Sequence, residues 1–318
     1  MASEPEHSGD QPADAPVTDP IGVVGLGRIG GNVAAAMLDA GHSVIGFQRS
    51  PAPEFERAGG TIAETARELI DNCALVFLVL PSSEALRAVV GNGEDEGLAA
   101  SSPPAGAVVA DLSTIDFGDK LEAREALRQI GVGMLDCPVS GMPAPDRRPP
   151  LDTMFASGDH EDFARCESAL RLVASNLHYV GAFGNGLTIK LVANTLVSIH
   201  TAAAAEALGL GVRAGLDKDQ MVRILTSSPA TSWVLEDRAG RMVHGDHQPA
   251  RASVELLLKD LGIIRDLATR TGTPLPTLDA AVRSFEAARG QGWGDHDVSV
   301  VYRLAAEAVT VDPPPSED

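Results

Sequence analysis

Aromatic side chains are scarce in this chain. Eight Phe, two Tyr and two Trp make up 4% of 318 residues, so any core is built mainly from Ala, Val, Leu and Ile. Cysteine is scarcer still. Cys73, Cys137 and Cys166 are an odd number with no CxxC spacing, which argues against a disulfide framework or a zinc site and fits reduced thiols in a cytoplasm. The eight histidines show no metal spacing, so no metal is expected. Basic residues are outnumbered, 25 Lys and Arg against 44 Asp and Glu, for a net charge of −19. That balance argues against nucleic acid or an anionic membrane as a partner. No apolar run is expected to reach transmembrane length. The N-terminus is acidic and Pro-rich without the apolar core of a secretory signal. Residues 1–19 and 312–318 are expected to be disordered tails.

What remains is organised in two parts. Short apolar runs recur between helical patterns: "IGVVGLG" (Ile21–Gly27), "SVIGFQR" (Ser43–Arg49), "ALVFLVLP" (Ala74–Pro81), "AVVADLST" (Ala107–Thr114) and "GMLDCPVSG" (Gly133–Gly141). Their near-continuous hydrophobicity predicts a parallel sheet covered on both faces. "DTMFASGD" and "LHYVG" predict further strands up to Gly181. After Gly184 the strand signals stop. One long helix is expected over 184–214, with small residues for close packing, then helices near 217–226, 230–243, 251–271 and 275–289. The expected fold is an α/β Rossmann domain, a mostly parallel doubly wound sheet, over 20–182, followed by an all-α domain over 183–311.

"GLGRIG" places Gly25, Gly27 and Gly30 in a GxGxxG spacing after a strand and at the start of a helix. The first glycine permits the turn, the second lets backbone approach a pyrophosphate, and the third lets helix and strand pack closely. Leu26, Arg28 and Ile29 complete the turn, and the helix N-terminus offers free N–H groups to phosphate. The second strand then runs into Gln48, Arg49 and Ser50, with no acid to accept a ribose hydroxyl. Arg49 suits a 2′-phosphate, so NADP(H) is expected over NAD(H). Hydroxyls at the strand ends, Ser82 or Ser83 and Thr114, read as helix caps as readily as cofactor contacts.

The lone charge in "GNGLTIKLVANTL" is Lys190. Asn194 lies four residues on, on the same helix face. Such a lysine either snorkels to solvent or works as an acid/base, with a pKa lowered by partial burial.

The ordered motifs "GLGRIG", "LPSS", "DLST", "DCPVSG", "GNGLTIKLVANTL", "LKDL" and "WGDHDVS" resemble those of the β-hydroxyacid dehydrogenase family, which includes 3-hydroxyisobutyrate dehydrogenase and belongs with 6-phosphogluconate dehydrogenase. The resemblance covers nearly everything between the tails. It implies an active site in a cleft between the two domains, with Lys190 as catalytic acid/base and Asn194 holding the substrate hydroxyl. It implies Ser140 and Gly141 as the turn for the substrate carboxylate, and Leu80, Pro81, Thr114 and Lys259 as cofactor contacts. It also implies a homodimer or homotetramer joined through the helical domain. Two departures bear on the substrate. Met142 stands where the family has a second glycine, and the loop "PAPDRRPPLD" replaces a run of small residues; Arg147 and Arg148 within it are read as solvated. The implied reaction is NADP-dependent interconversion of a small β-hydroxyacid and its semialdehyde or ketone. The rival readings are an imine reductase and an NADP-binding scaffold without turnover. Trp233, Asp237 and Arg238 are further candidates for the substrate side, Trp233 being equally a core residue. His244 and His247 are expected to be solvated.

Overall fold

The computed structural model describes residues 19–91, 97–141 and 149–307. Residues 1–18 and 312–318 of the expected tails, Met142, Arg147 and Arg148 therefore lie outside the described residues, while Asp19, the last residue of the expected N-terminal tail, pairs with His42 at 2.6 Å. Contacts divide the chain into two compact units that meet in sequence at Ile189 and Lys190.

The first unit alternates strands and helices: β1 (Ile21–Val24), α1 (Arg28–Asp39), β2 (Val44–Phe47), α2 (Pro53–Arg57), β3 (Thr61–Ile62), α3 (Ala66–Asn72), β4 (Leu75–Leu78), α4 (Ser83–Val90), β5 (Val108–Asp111), α5 (Phe117–Gln129) and β6 (Gly133–Asp136). The six strands form one parallel sheet in the order β3-β2-β1-β4-β5-β6. The order reverses between β1 and β4, which is where open sheets of this kind bind ligands.

Alternate residues feed two separate cores. Leu75 and Phe77 point to one face with Val23, Ala110, Val33 and Met37. Val76 and Leu78 point to the other with Val109, Leu69 and Leu127. The aliphatic core expected from the shortage of aromatics is what forms. Phe55 and Phe77 are the rings in the first cluster besides Phe163.

Two details differ from the sequence expectation. The short edge strand β3 went unseen, because two residues carry too little pattern to register. "GMLDCPVSG" is not one strand: it splits into β6 and β7 (Val139–Ser140) around Pro138. A second sheet, β7-β8-β9, then forms with β8 (Leu151–Ala156) and β9 (Ala174–Tyr179), separated by α6 (His160–Val173). β7 runs antiparallel to β8, while β8 and β9 are parallel.

The second unit is helical: α7 (Asn185–Arg213), whose first turn belongs to the first unit, then α8 (Lys218–Thr226), α9 (Trp233–His244), α10 (Val254–Thr271), α11 (Pro276–Gly290) and α12 (Tyr302–Ala306). Close packing rests on small residues, as expected. A Cβ on Gly209 would lie 2.6 Å from the Ala305 side chain, and one on Gly211 would lie 2.2 Å from Met221 Sδ. α7 has 29 residues and a mean hydropathy of 1.3 over its most apolar window. Against the sequence expectation, it is long and apolar enough to cross a membrane by those two measures. It also carries a buried polar seam. Ser198 Oγ donates to the Asn194 carbonyl at 2.7 Å, and Thr201 meets the Arg238 guanidinium of α9. Such a seam suits a core helix of a globular domain.

The "WGDHDVS" segment has a structural role. Asp297 accepts from the Ser299 amide at 3.0 Å and the Arg251 amide at 2.9 Å, and pairs with Arg241 at 3.4 Å. His247 is buried, not solvated, with Nδ1 3.0 Å from Ser299 Oγ. His244 is exposed, as expected, and pairs with Asp219 at 2.9 Å.

Candidate functional site

The glycine turn behaves as its spacing requires. Gly25 has φ +88°, and a Cβ there would sit 2.2 Å from the Val79 carbonyl oxygen. A Cβ on Gly30 would sit 1.8 Å from the Gly25 carbonyl oxygen, so helix and turn touch backbone to backbone. Gly27 differs. It caps α1 at φ −70° with no side-chain hydrogen bond to the helix end, and its Cβ position faces open space. The first amides of α1 are thus presented to whatever fills that space. A cleft of about 610 Å³ opens there, lined among others by Leu26, Gly27, Arg28, Gln48 and Pro51. Gln48 donates to the Ser50 carbonyl at 2.8 Å, curling the chain after β2 and leaving Arg49 and Ser50 exposed at its end. A dinucleotide phosphate fits an uncapped helix end beside a glycine with no neighbour over it.

The ends of β4, β5 and β6 are tied by a buried network that sequence reasoning missed. Asp111 and Asp136 are direct neighbours on adjacent parallel strands. Between them lies Lys120 of α5, with Nζ 2.6 Å from Asp136 Oδ1 and 3.0 Å from Asp111 Oδ2; all three side chains are fully buried. Burial alone pushes the ammonium pKa down, but the Asp111 and Asp136 carboxylates outweigh it and hold it above the ordinary lysine value. Asp111 Oδ1 accepts from the Ser113 amide at 3.0 Å, and Ser113 Oγ accepts from the Leu80 amide at 2.9 Å. Leu80 and Thr114 are half-buried and Pro81 is exposed at this rim. Ser82 caps α4 through the Ala85 amide, as anticipated. Thr114 does not cap: α5 begins later and is capped by Asp116. The sequence held a signal for this network, since two acids ending neighbouring apolar strands need a cation. Lys120 also shares its helix face with the buried Ala123 and Leu127.

In α7, Lys190 is half-buried. Desolvation holds its ammonium pKa below the ordinary lysine value; the Asp260 carboxylate opposes this, and Lys259 adds to the lowering. Asn194, one turn on, is buried and donates Nδ2 to Asp260 Oδ2 at 2.9 Å. Lys259 Nζ lies 3.3 Å from Asp260 Oδ1. Burial raises the Asp260 pKa, and Lys259 and Lys190 pull it back. The structure thus brings Lys190, Asn194 and Lys259 together around Asp260, which the "LKDL" motif carries without marking it as a site residue.

Ser140 lies at the end of β7, and Gly141 follows at φ +89°, where a Cβ would lie 2.1 Å from Asp152 Oδ2. Trp233 is not core: it opens α9 with 59% of its surface exposed. Asp237 pairs with Arg251 at 2.8 Å. Among the described residues no cluster of His, Cys, Asp and Glu fits a metal ion. All three cysteines are free and buried.

The family model described as the NAD binding domain of 6-phosphogluconate dehydrogenase matches residues 20–181. The model described as NAD-binding of NADP-dependent 3-hydroxyisobutyrate dehydrogenase matches 184–305. An L-threonate dehydrogenase of Cupriavidus necator is 34% identical over 287 residues, spanning 89% of this chain and 95% of that protein. The chain belongs to the β-hydroxyacid dehydrogenase family. As a member it is an NAD(P)-dependent dehydrogenase acting on CH–OH, and its relatives include mouse mitochondrial 3-hydroxyisobutyrate dehydrogenase, 29% identical over 91% of this chain and 87% of that one. A crystal structure of 3-hydroxyisobutyrate dehydrogenase from Salmonella typhimurium superposes with a TM-score of 0.78 at 32% identity, covering 89% of this chain and 99% of that one. An imine reductase from a Pseudomonas species shares the fold alone, at a TM-score of 0.56 and 21% identity.

Proposed function

We propose that this β-hydroxyacid dehydrogenase uses NADP(H) in preference to NAD(H) to interconvert a small hydroxyacid and its semialdehyde or ketone, with Lys190 as the acid/base. The observation that carries the reading is the half-buried Lys190, its pKa lowered by desolvation and its neighbour Asn194 fixed by Asp260. A lysine lowered toward the working pH both gives and takes a proton, which an unperturbed ammonium does poorly.

The nicotinamide cofactor, when bound, supplies or accepts the hydride. The protein supplies the rest. The open α1 end and Gly27 receive the pyrophosphate, and Arg49 receives the 2′-phosphate. Leu80, Pro81, Thr114 and Lys259 are the remaining proposed contacts on the cofactor. In reduction, Lys190 Nζ donates a proton to the carbonyl oxygen as negative charge develops there; in oxidation, neutral Nζ removes the hydroxyl proton. Asn194 is proposed to hold the substrate hydroxyl through its amide. Ser140, Gly141 and Met142 are proposed to hold the carboxylate.

The 34% identity to an L-threonate dehydrogenase makes a sugar acid the first substrate to assay, beside 3-hydroxyisobutyrate. Homo-oligomerisation through the helical unit is supported by an exposed apolar stripe along α7, which includes Val192, Leu196 and Leu210. Three free cysteines suit a reducing cytoplasm. The deciding experiment is Lys190→Ala, assayed with a panel of hydroxyacids by NADPH absorbance. Turnover should fall at least a hundredfold, about 2.7 kcal/mol of barrier; a loss under tenfold rejects the assignment. A cyclic imine in the same panel tests the rival chemistry.

A further inference from the structure

The Asp111–Lys120–Asp136 cluster has no place in the proton or hydride chemistry, yet it is an expensive thing to bury. Two acids for one cation leave a net negative charge with no exposed side chain among the three. Replacing such a group with apolar residues of similar volume is often neutral or stabilising, so stability alone gives no account of it. Its remaining hydrogen bonds do. Asp136 Oδ2 accepts from the Leu187 amide at 2.7 Å and from Ser157 Oγ at 3.2 Å, and Ser157 Oγ accepts from the Gly186 amide at 3.0 Å. These amides belong to the first turn of α7, so the surplus negative charge lies against the positive end of that helix.

The approach is close. A Cβ on Gly186 would lie 2.3 Å from the Phe155 carbonyl oxygen and 2.8 Å from that of Asp136. On the other side, Asp111 holds the Ser113 amide, and the Ser113 hydroxyl in turn takes the Leu80 amide beyond the end of β4. Leu187 precedes Lys190 by less than one helical turn, and a slip of one residue in the first turn rotates the helix face by about 100°.

We propose that Lys120 is a positioning residue for the reaction: it clamps Asp136 onto the first turn of the helix that carries Lys190, and Asp111 onto the strand ends at the cofactor side, in one register. This rests on the acid/base reading of Lys190. The clamp acts on orientation, so it governs kcat more than ground-state binding.

The test uses the full chain. Lys120→Met removes the cation, and Ser157→Ala is a milder cut that leaves the ion pairs in place and takes away one hydroxyl. Each is measured for NADPH Kd, substrate KM, kcat per NADPH-binding site, and hydrogen exchange of the Leu187 amide. Lys120→Met should lower kcat at least tenfold and speed Leu187 exchange at least tenfold, with Kd and KM moving less than threefold. Ser157→Ala should lower kcat at least fivefold and carries the test alone if Lys120→Met does not fold. A kcat within twofold of the parent in Ser157→Ala, or within threefold in folded Lys120→Met, overturns the proposal whatever the melting temperature does. The two readings fail distinguishably. Full turnover in Lys190→Ala rejects the acid/base assignment and the clamp that rests on it, whereas lost turnover in Lys190→Ala with parent kcat in folded Lys120→Met rejects only the clamp.

Discussion

The side-chain amide of Asn194 donates to the Asp260 carboxylate at 2.9 Å, so an asparagine on α7 is oriented by an acid on α10. The same carboxylate stabilises the Lys190 ammonium against the desolvation that lowers its pKa. Asp260→Asn removes that negative charge, and a cation that loses a nearby anion gives up its proton more readily. The Lys190 pKa therefore falls further. Reduction needs the protonated lysine, so the alkaline limb of kcat/KM for reduction should move to lower pH. Oxidation needs the neutral lysine, so its rising limb should move the same way. Paired pH–rate profiles check this; limbs that stay put or move up contradict the role given to Asp260.

Arg49 is exposed at the end of β2 with no acid beside it in sequence. A charged hydrogen bond to a phosphate contributes about 1.5–3 kcal/mol. Arg49→Ala should therefore lower kcat/KM with NADPH by roughly 10–100-fold and with NADH by less than threefold. Equal losses with the two cofactors would show that Arg49 reads no phosphate.

Gly25 and Gly27 differ in what they predict for stability. Alanine at Gly25 meets the Val79 carbonyl at 2.2 Å in a left-handed backbone, so Gly25→Ala should lower both melting temperature and NADPH affinity. Alanine at Gly27 meets nothing within 4 Å at an ordinary φ. Gly27→Ala should therefore keep the parent melting temperature within a degree or two while weakening NADPH at least tenfold, ~1.4 kcal/mol. Thermal melts with and without NADPH read both. Undiminished affinity in Gly27→Ala would place the pyrophosphate elsewhere.

Asp297 is nearly all buried. Burial raises its pKa, but amide and hydroxyl hydrogen bonds from Ser299, the Arg251 amide and Arg241 outweigh it, and the net pKa is low. A carboxyl lowered on folding adds stability above its unfolded pKa and loses it as pH falls through the folded value. Asp297→Ala should cost about 3 kcal/mol at neutral pH and less in acid. Urea unfolding at the two pH values checks this; a pH-independent difference would contradict it.

The fold was legible where patterns were long. Five of the six strands of the main sheet were visible as apolar runs, as was α7 as an uninterrupted apolar helix; β3 was not, because two residues show no period. The glycine turn was legible because each glycine answers a local steric demand. Asp260 and Lys120 were not, because their meaning lies in partners far along the chain: Asn194 sits 66 residues before Asp260, and Lys120 in "GDKLEAREALRQ" looks like one more charge on a solvated helix. His247 misled for the same reason. Its polar neighbours in sequence suggest solvent, while Ser299, 52 residues away, is what it meets.

The unequal count in the Asp111–Lys120–Asp136 cluster also limits how the sequence can drift. Removing the lysine first strands two buried carboxylates side by side, the most damaging single step available. Removing Asp111 first leaves the Lys120–Asp136 pair, which is neutral and keeps the Leu187 amide satisfied. Every route of single substitutions to an apolar replacement therefore passes through a lone buried charge, which holds the three residues in place as a unit. A stray change at Lys120 should be purged far more severely than one at Asp111.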